Sequence, residues 1–202
     1  MKTRLCLVVL SLAACAHNGP RTQPSARVMV MGRSGIPEFP GELNRCPTGL
    51  GDGPVQKTWS SGKKLFVGKC SSGLMVGTWT AHYENGAVEW TANFNAGILT
   101  GEFHSFFAND QKWATVKYAE GLPEGEYRSW HFNGEKDSAG KFVGGQKNGC
   151  WETWHENGKQ ASKGTWSDGQ QVETWLYWTP EGQRRKEKLG GTAAHGQCLL
   201  TL

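Results

Sequence analysis

The chain has 202 residues, a formal net charge of +4, 28 glycines and 10 tryptophans, with only 37% hydrophobic residues. So small a charge, with no long basic stripe interleaved with aromatics, argues against a nucleic-acid binder. The apolar material is largely aromatic and scattered between glycines, which excludes a compact Leu/Ile/Val core and favours many short strands joined by tight turns.

Lys2 and Arg4 precede an apolar run from Leu5 to Leu12. The run is too short to cross a bilayer as a helix and fits a secretory signal. It leads into Leu12-Ala13-Ala14-Cys15, which resembles the bacterial lipobox. That resemblance implies that residues 1–14 are removed and that the Cys15 thiol takes a diacylglycerol. Ala16, not Asp, follows the cysteine. By similarity to Gram-negative lipoprotein sorting, this implies the outer membrane. Residues 15–45 then form a lipidated tether, punctuated by Gly19-Pro20, Pro24, Gly35-Ile36-Pro37 and Pro40-Gly41, which do not suit a packed element.

Residues 46–202 contain a repeat of 24 residues. Gly-x-aromatic recurs at Gly77-Thr78-Trp79, Gly101-Glu102-Phe103, Gly125-Glu126-Tyr127 and Gly149-Cys150-Trp151, then as Glu173-Thr174-Trp175. A weaker copy starts at Gly53, so the repeats begin near residues 53, 77, 101, 125, 149 and 173. Taking each start as position 1, position 10 reads Gly62, Gly86, Asp110, Gly134, Gly158 and Gly182. Position 21 is glycine from Gly73 to Gly169. Position 6 reads His82, Phe106, Trp130, Trp154 and Trp178, and position 18 reads Cys70, Phe94, Tyr118, Phe142 and Trp166.

Each repeat predicts two strands and two turns. Asn85-Gly86, Asn133-Gly134 and Asn157-Gly158 supply the positive φ of a two-residue hairpin turn. In the second strand of a repeat, Trp90, Ala92 and Phe94 share one side, and Thr91 and Asn93 the other. Such alternation means a half-solvated antiparallel strand. Glycine is too frequent for helix. The expected fold is all-β: an elongated, single-layer antiparallel meander of ten to twelve strands. Aromatics at equal positions should stack as ladders across it, formed by Trp79, Phe103, Tyr127, Trp151 and Trp175 and by Phe106, Trp130, Trp154 and Trp178. Trp79 is grouped with Trp130, Trp154 and Trp178 as the main ladder, with core and binding face both open.

Gly-x-aromatic, then Glu-Asn-Gly, then a strand ending in aromatic-x-x-Gly resembles the MORN repeat. The similarity is greatest to the bacterial variant of YwqK-type antitoxin-like proteins and many lipoproteins, and it covers about residues 53–182. It implies a twisted sheet of hairpins used for binding or scaffolding. Glu173 and Asp110 in place of glycine depart from the pattern.

Cys46, Cys70, Cys150 and Cys198 remain after the signal and Cys15, and they allow three pairings. Cys46–Cys70 and Cys150–Cys198 are favoured, because each pair flanks an end of the array, where fraying is worst. No Cys-x-x-Cys spacing points to a metal. His131 and His155 share position 7 with Tyr83 and Phe107 and are taken as aromatic substitutes. Arg184-Arg185-Lys186-Glu187-Lys188 falls on the last strand. It makes the edge unsociable by charge, or else serves as a patch for an anionic partner such as lipopolysaccharide or phospholipid. No nucleophile motif, P-loop or cofactor motif occurs. The sequence therefore predicts a membrane-anchored binding or scaffolding module of the cell envelope, with a protein or glycan partner and no enzymatic activity. An immunity-type inhibitor and a cell-wall-active enzyme are the alternatives.

Overall fold

A computed structural model describes Ile36, residues 44–188 and Cys198; the signal segment, Cys15 and the remainder of the tether lie outside the described residues. Twelve antiparallel strands pair in chain order in one sheet, a continuous meander. The first repeat gives β1 (Gly53–Thr58) and β2 (Lys64–Ser71), and the second β3 (Leu74–His82) and β4 (Val88–Asn95). They are followed by β5 (Ile98–Phe106), β6 (Lys112–Ala119), β7 (Leu122–Trp130) and β8 (Lys136–Val143). The last two repeats give β9 (Gln146–Trp154), β10 (Gln160–Ser167), β11 (Gln170–Trp178) and β12 (Arg184–Lys188).

The two turns exchange the roles expected of them. At the Asn-Gly loop, the Gly86 N–H donates to Tyr83 O and the Tyr83 N–H donates to Ala87 O, both at 2.9 Å. Glu84 and Asn85 are thus the centre of a type I turn, and Gly86, at φ 101°, is its one left-handed residue. The loop has three residues rather than two, which corrects the expectation that Asn adopts positive φ there. The two-residue turn lies at positions 20 and 21, where Ser72 and Gly73 take φ 51° and 71° and join the paired Ser71 and Leu74.

Asparagine at position 9 has another task. Asn85 Oδ1 accepts the Ala87 N–H at 3.0 Å, and its Nδ2 donates to Ala108 O of the next repeat at 2.7 Å. Asn109, Asn133 and Asn157 repeat that second bond to Phe132, Glu156 and Pro180. On the opposite rim, Gly97, Gly121, Gly145 and Gly169 donate backbone N–H groups to Met75, Leu99, Pro123 and Lys147 of the preceding repeat. Both rims are therefore stitched from repeat to repeat.

Gly-x-aromatic is a bulge. Between β2 and β3, Val67 faces Thr80 and Lys69 faces Val76, so Gly77-Thr78-Trp79 oppose Gly68 alone. The same three-against-one arrangement sets Gly101–Phe103 against Ala92 and Glu173–Trp175 against Gly164. Left-handed φ at position 1 (65° at Gly77) turns the aromatic ring back over the small residue. A Cβ on Gly68, Gly140 or Gly164 would come within 2.1–2.2 Å of the Trp79, Trp151 or Trp175 ring. Each of these indoles donates its N–H to a carbonyl one residue further along, Lys69, Lys141 and Thr165, at 3.2 Å. Where position 3 is the double-ringed tryptophan it meets glycine, whereas the single-ringed Phe103 meets Ala92, and Tyr127 pairs directly with Val116, leaving only Gly125 and Glu126 bulged.

The sheet has two unlike faces. Trp79, Phe103, Tyr127, Trp151 and Trp175 are buried on the inner face at 0–3% exposure, with Phe66, Trp90, Phe94 and Tyr118 beside them. Phe103 stacks near Trp90 and meets Tyr118 edge-on. Ile36, Cys46 and Leu50, from before the first strand, pack onto this core. Cys46 is bonded to Cys70, and Cys150 to Cys198, so a disulfide clamps each end of the array. Closing loops of 24 and 48 residues stabilises the array by about 3–4 kcal/mol each in the chain-entropy model. At the C-terminal edge β12, which carries the basic run, pairs with β11 and with no other strand among the described residues.

Two substitutions test the bulge. Gly140→Ala should cost about 1–3 kcal/mol by forcing the Trp151 ring off its seat. Adding Trp151→Phe should recover part of the loss, as in the Ala92–Phe103 pair; urea midpoints of the four chains give the coupling, and strict additivity would refute it. Glu173 holds φ 61° where the other repeats have glycine. Glu173→Gly should therefore raise stability by about 1 kcal/mol, read from the same midpoints.

Candidate binding face

Position 6 lies three residues beyond the buried ring on an alternating strand, so its side chain emerges on the outer face. Phe106 (β5), Trp130 (β7), Trp154 (β9) and Trp178 (β11) are each half-buried there. Trp79 is at position 3 and fully buried, so it belongs to the opposite face from the three tryptophans with which it was grouped. The strands between them place Lys112 opposite Phe106, Lys136 opposite Trp130, Gln160 opposite Trp154 and Arg184 opposite Trp178. Lys112 Nζ lies 5.7 Å from the Trp130 ring centre, and Lys136 Nζ lies 5.6 Å from that of Trp154. Each such contact stabilises by about 0.5–1 kcal/mol at an exposed site. The result is a solvent-facing row in which rings and cations alternate across β5 to β12, interrupted only by Gln160.

Position 7 holds this row in place. Trp59, Tyr83, His131 and His155 each donate a ring N–H or hydroxyl to the backbone carbonyl of position 6 in the next repeat, at 2.8–3.1 Å. A carbonyl only accepts, so Nε2 carries the proton in both histidines. The histidines do replace aromatics, and they also anchor the strand ends that bear Trp154 and Trp178. This bonding role was not read from the sequence, although Trp, Tyr and His recurring at one position was a visible signal for a shared donor.

Elsewhere on the outer face, charge is internally matched. Glu102 faces Lys117 and Glu126 faces Lys141 across neighbouring strands. Arg128 pairs with Glu126 at 2.7 Å and Lys163 with Glu152 at 3.0 Å. A shallow depression of about 250 Å³ lies among Glu102, Thr115, Lys117, Glu126 and Arg128. The row at positions 6 and 12 contains no carboxylate; Glu84, Asp110, Glu135 and Glu156 are on the adjacent rim loops.

Polar chemistry on the inner face is structural. The Tyr127 hydroxyl is hydrogen-bonded to Ser129, whose Oγ donates to Asp137 at 2.8 Å. Burial pushes the Tyr118 and Tyr127 phenols well above their ordinary range. Tyr118 Oη is buried with no hydrogen-bond partner among the described residues, a cost tolerated where a ring of that size fills the core. Lys147 stands where earlier repeats have Met75, Leu99 and Pro123. Its Nζ is 4.2 Å from the Trp151 ring centre and 4.9 Å from that of Trp166, and burial lowers its pKa. Among the described residues, no group of three or more His, Cys, Asp or Glu converges to hold a metal.

No family model matches the chain, and no curated protein matches it in sequence.

The two faces should separate chemically. Brief oxidation with N-bromosuccinimide, followed by peptide mapping, should modify the half-buried tryptophans, Trp130, Trp154 and Trp178 among them, before any of the buried ones. Trp79, Trp90, Trp151 and Trp175 should react only on unfolding.

Proposed function

We propose that this protein is a lipid-anchored binding module of the cell envelope, without catalytic activity, that engages an extended partner along the outer-face row of Phe106, Trp130, Trp154 and Trp178. The observation that carries this reading is the placement of a half-buried Phe or Trp at position 6 of each of the last four repeats, on a face where packing does not require it. Aromatic rings of this kind dominate contact energetics. A continuous ribbon offers an extended surface rather than an enclosed pocket, which suits binding along a length. Two disulfides fit an oxidising compartment outside the cytosol.

The anchor comes from the sequence. Cys15, after Leu12-Ala13-Ala14, would carry acyl chains, and the tether would hold the sheet off the outer membrane. The resemblance to bacterial MORN repeats in lipoproteins supports the same reading.

Two measurements test it. Cys15→Ser should abolish incorporation of labelled palmitate and shift the protein from the membrane fraction to the soluble fraction. Purified envelope material should shield Trp130, Trp154 and Trp178 from oxidation and change no other tryptophan; equal reactivity with and without envelope would sink the proposal.

A further inference from the structure

Building on the binding-face reading, we infer that the outer row is a site for an acidic polysaccharide, a chain of sugar rings bearing carboxylate groups. Three features of the row point to this ligand.

The first is spacing. Ring and cation alternate from strand to strand, so successive groups are separated by about 4.8 Å, and the row from Phe106 to Arg184 extends over roughly 35 Å. A linear polymer laid across the strands can meet every second strand with a ring face and the strands between with an acid. A small solute would use one step of the row only.

The second is chemistry. A sugar ring has an apolar C–H face that packs against an aromatic ring, while its hydroxyls stay in water. Trp130, Trp154 and Trp178 are half-exposed and suit that contact. Lys112, Lys136 and Arg184 are exposed beside them and have no carboxylate within the row to neutralise them. This contrasts with the neighbouring part of the face, where Glu126 takes Arg128 and Glu152 takes Lys163. Cations left to the rings, among cations paired to acids, mark where a ligand's negative charge fits.

The third is compartment. Single-stranded nucleic acid also uses rings and cations together. The disulfides Cys46–Cys70 and Cys150–Cys198 fit an oxidising compartment outside the cytosol, away from the cell's nucleic acid. A bilayer surface is a plane and would call for cations and apolar groups at protruding loop tips. The row instead lies at the strand ends, and the rim loops beside it carry the carboxylates Glu84, Asp110, Glu135 and Glu156, which an anionic bilayer would repel, along with the exposed Phe132.

The test uses the mature chain, with disulfides intact and Cys15 changed to serine for solubility. Tryptophan fluorescence and calorimetry follow titration with polygalacturonate, a neutral glucan of similar length, single-stranded DNA and vesicles of anionic phospholipid. Polygalacturonate should bind, and more weakly as salt rises. Trp154→Ala and the pair Lys112→Gln/Lys136→Gln should each weaken it about tenfold. The lysine pair leaves every ring and both disulfides in place, and a cooperative melt, lowered by no more than the lost cation–π contacts account for, shows that each variant is folded. Equal binding of the neutral glucan, with Trp154→Ala still weakening it, would overturn the acidic-ligand inference and leave the binding-face reading standing. Preference for vesicles or DNA over polygalacturonate would overturn it also. No binding to any of the four, with Trp154→Ala also failing to alter envelope shielding, would remove both.

Discussion

A bulge of three residues against one, closed by an aromatic ring lying on the backbone of the preceding strand, is the constraint from which the remaining structure follows. A single-layer sheet has no second layer to cover its apolar side. Here each ring at position 3 is covered by the strand beside it. Trp79 is fully buried because Gly68 has no side chain to keep it away, and Trp151 and Trp175 repeat the arrangement on Gly140 and Gly164. Where the seat carries a side chain the ring is single, Phe103 against Ala92 and Tyr127 against Val116. The core is thus divided into units, each shared by two repeats, and no repeat can bury its ring alone.

With packing confined to one face, the other is released from it. Positions 6 and 12 contribute nothing to the inner core, so their rings and cations answer to other demands. The position 7 donors join the two functions. His131 and His155 bond to the carbonyls of Trp154 and Trp178, and so each repeat sets the backbone from which the next displays its aromatic. The asparagine bonds on the same rim add a second tie across the same step. A row tied in this manner at every step would lose less entropy on binding the extended partner proposed for it.

The ends of the array show the same logic. β12 is the last strand among the described residues, and the run Arg184–Lys188, rich in cations, falls on it. Cys198 is tied to Cys150, and its backbone N–H donates to the buried Thr165 Oγ1 at 3.2 Å. At the opposite end, the Asn44 backbone N–H and side chain both donate to Gly97 O, and Cys46 is bonded to Cys70. Both clamps close the positions at which a hairpin array would fray first.

The sequence by itself determined the period, a meander of ten to twelve strands and the inward and outward alternation of Trp90–Phe94, and it favoured, among three pairings, the cysteine pairs that the structure bonds. The period and the alternation depend on local geometry and on order along the chain, and a 24-residue repeat states them five or six times over. The match of Gly68 with Trp79 and of Ala92 with Phe103 was also present in the sequence, eleven residues apart, but its meaning depends on a bulge that no propensity reveals. Only tertiary structure decided which turn is the tight one, because Asn-Gly satisfies both loop types and the register of the flanking strands selects between them. Tertiary structure also separated Trp79 from Trp130, Trp154 and Trp178. An odd offset sends residues to opposite faces of any strand, but which face becomes covered depends on where the rings of neighbouring repeats come to rest.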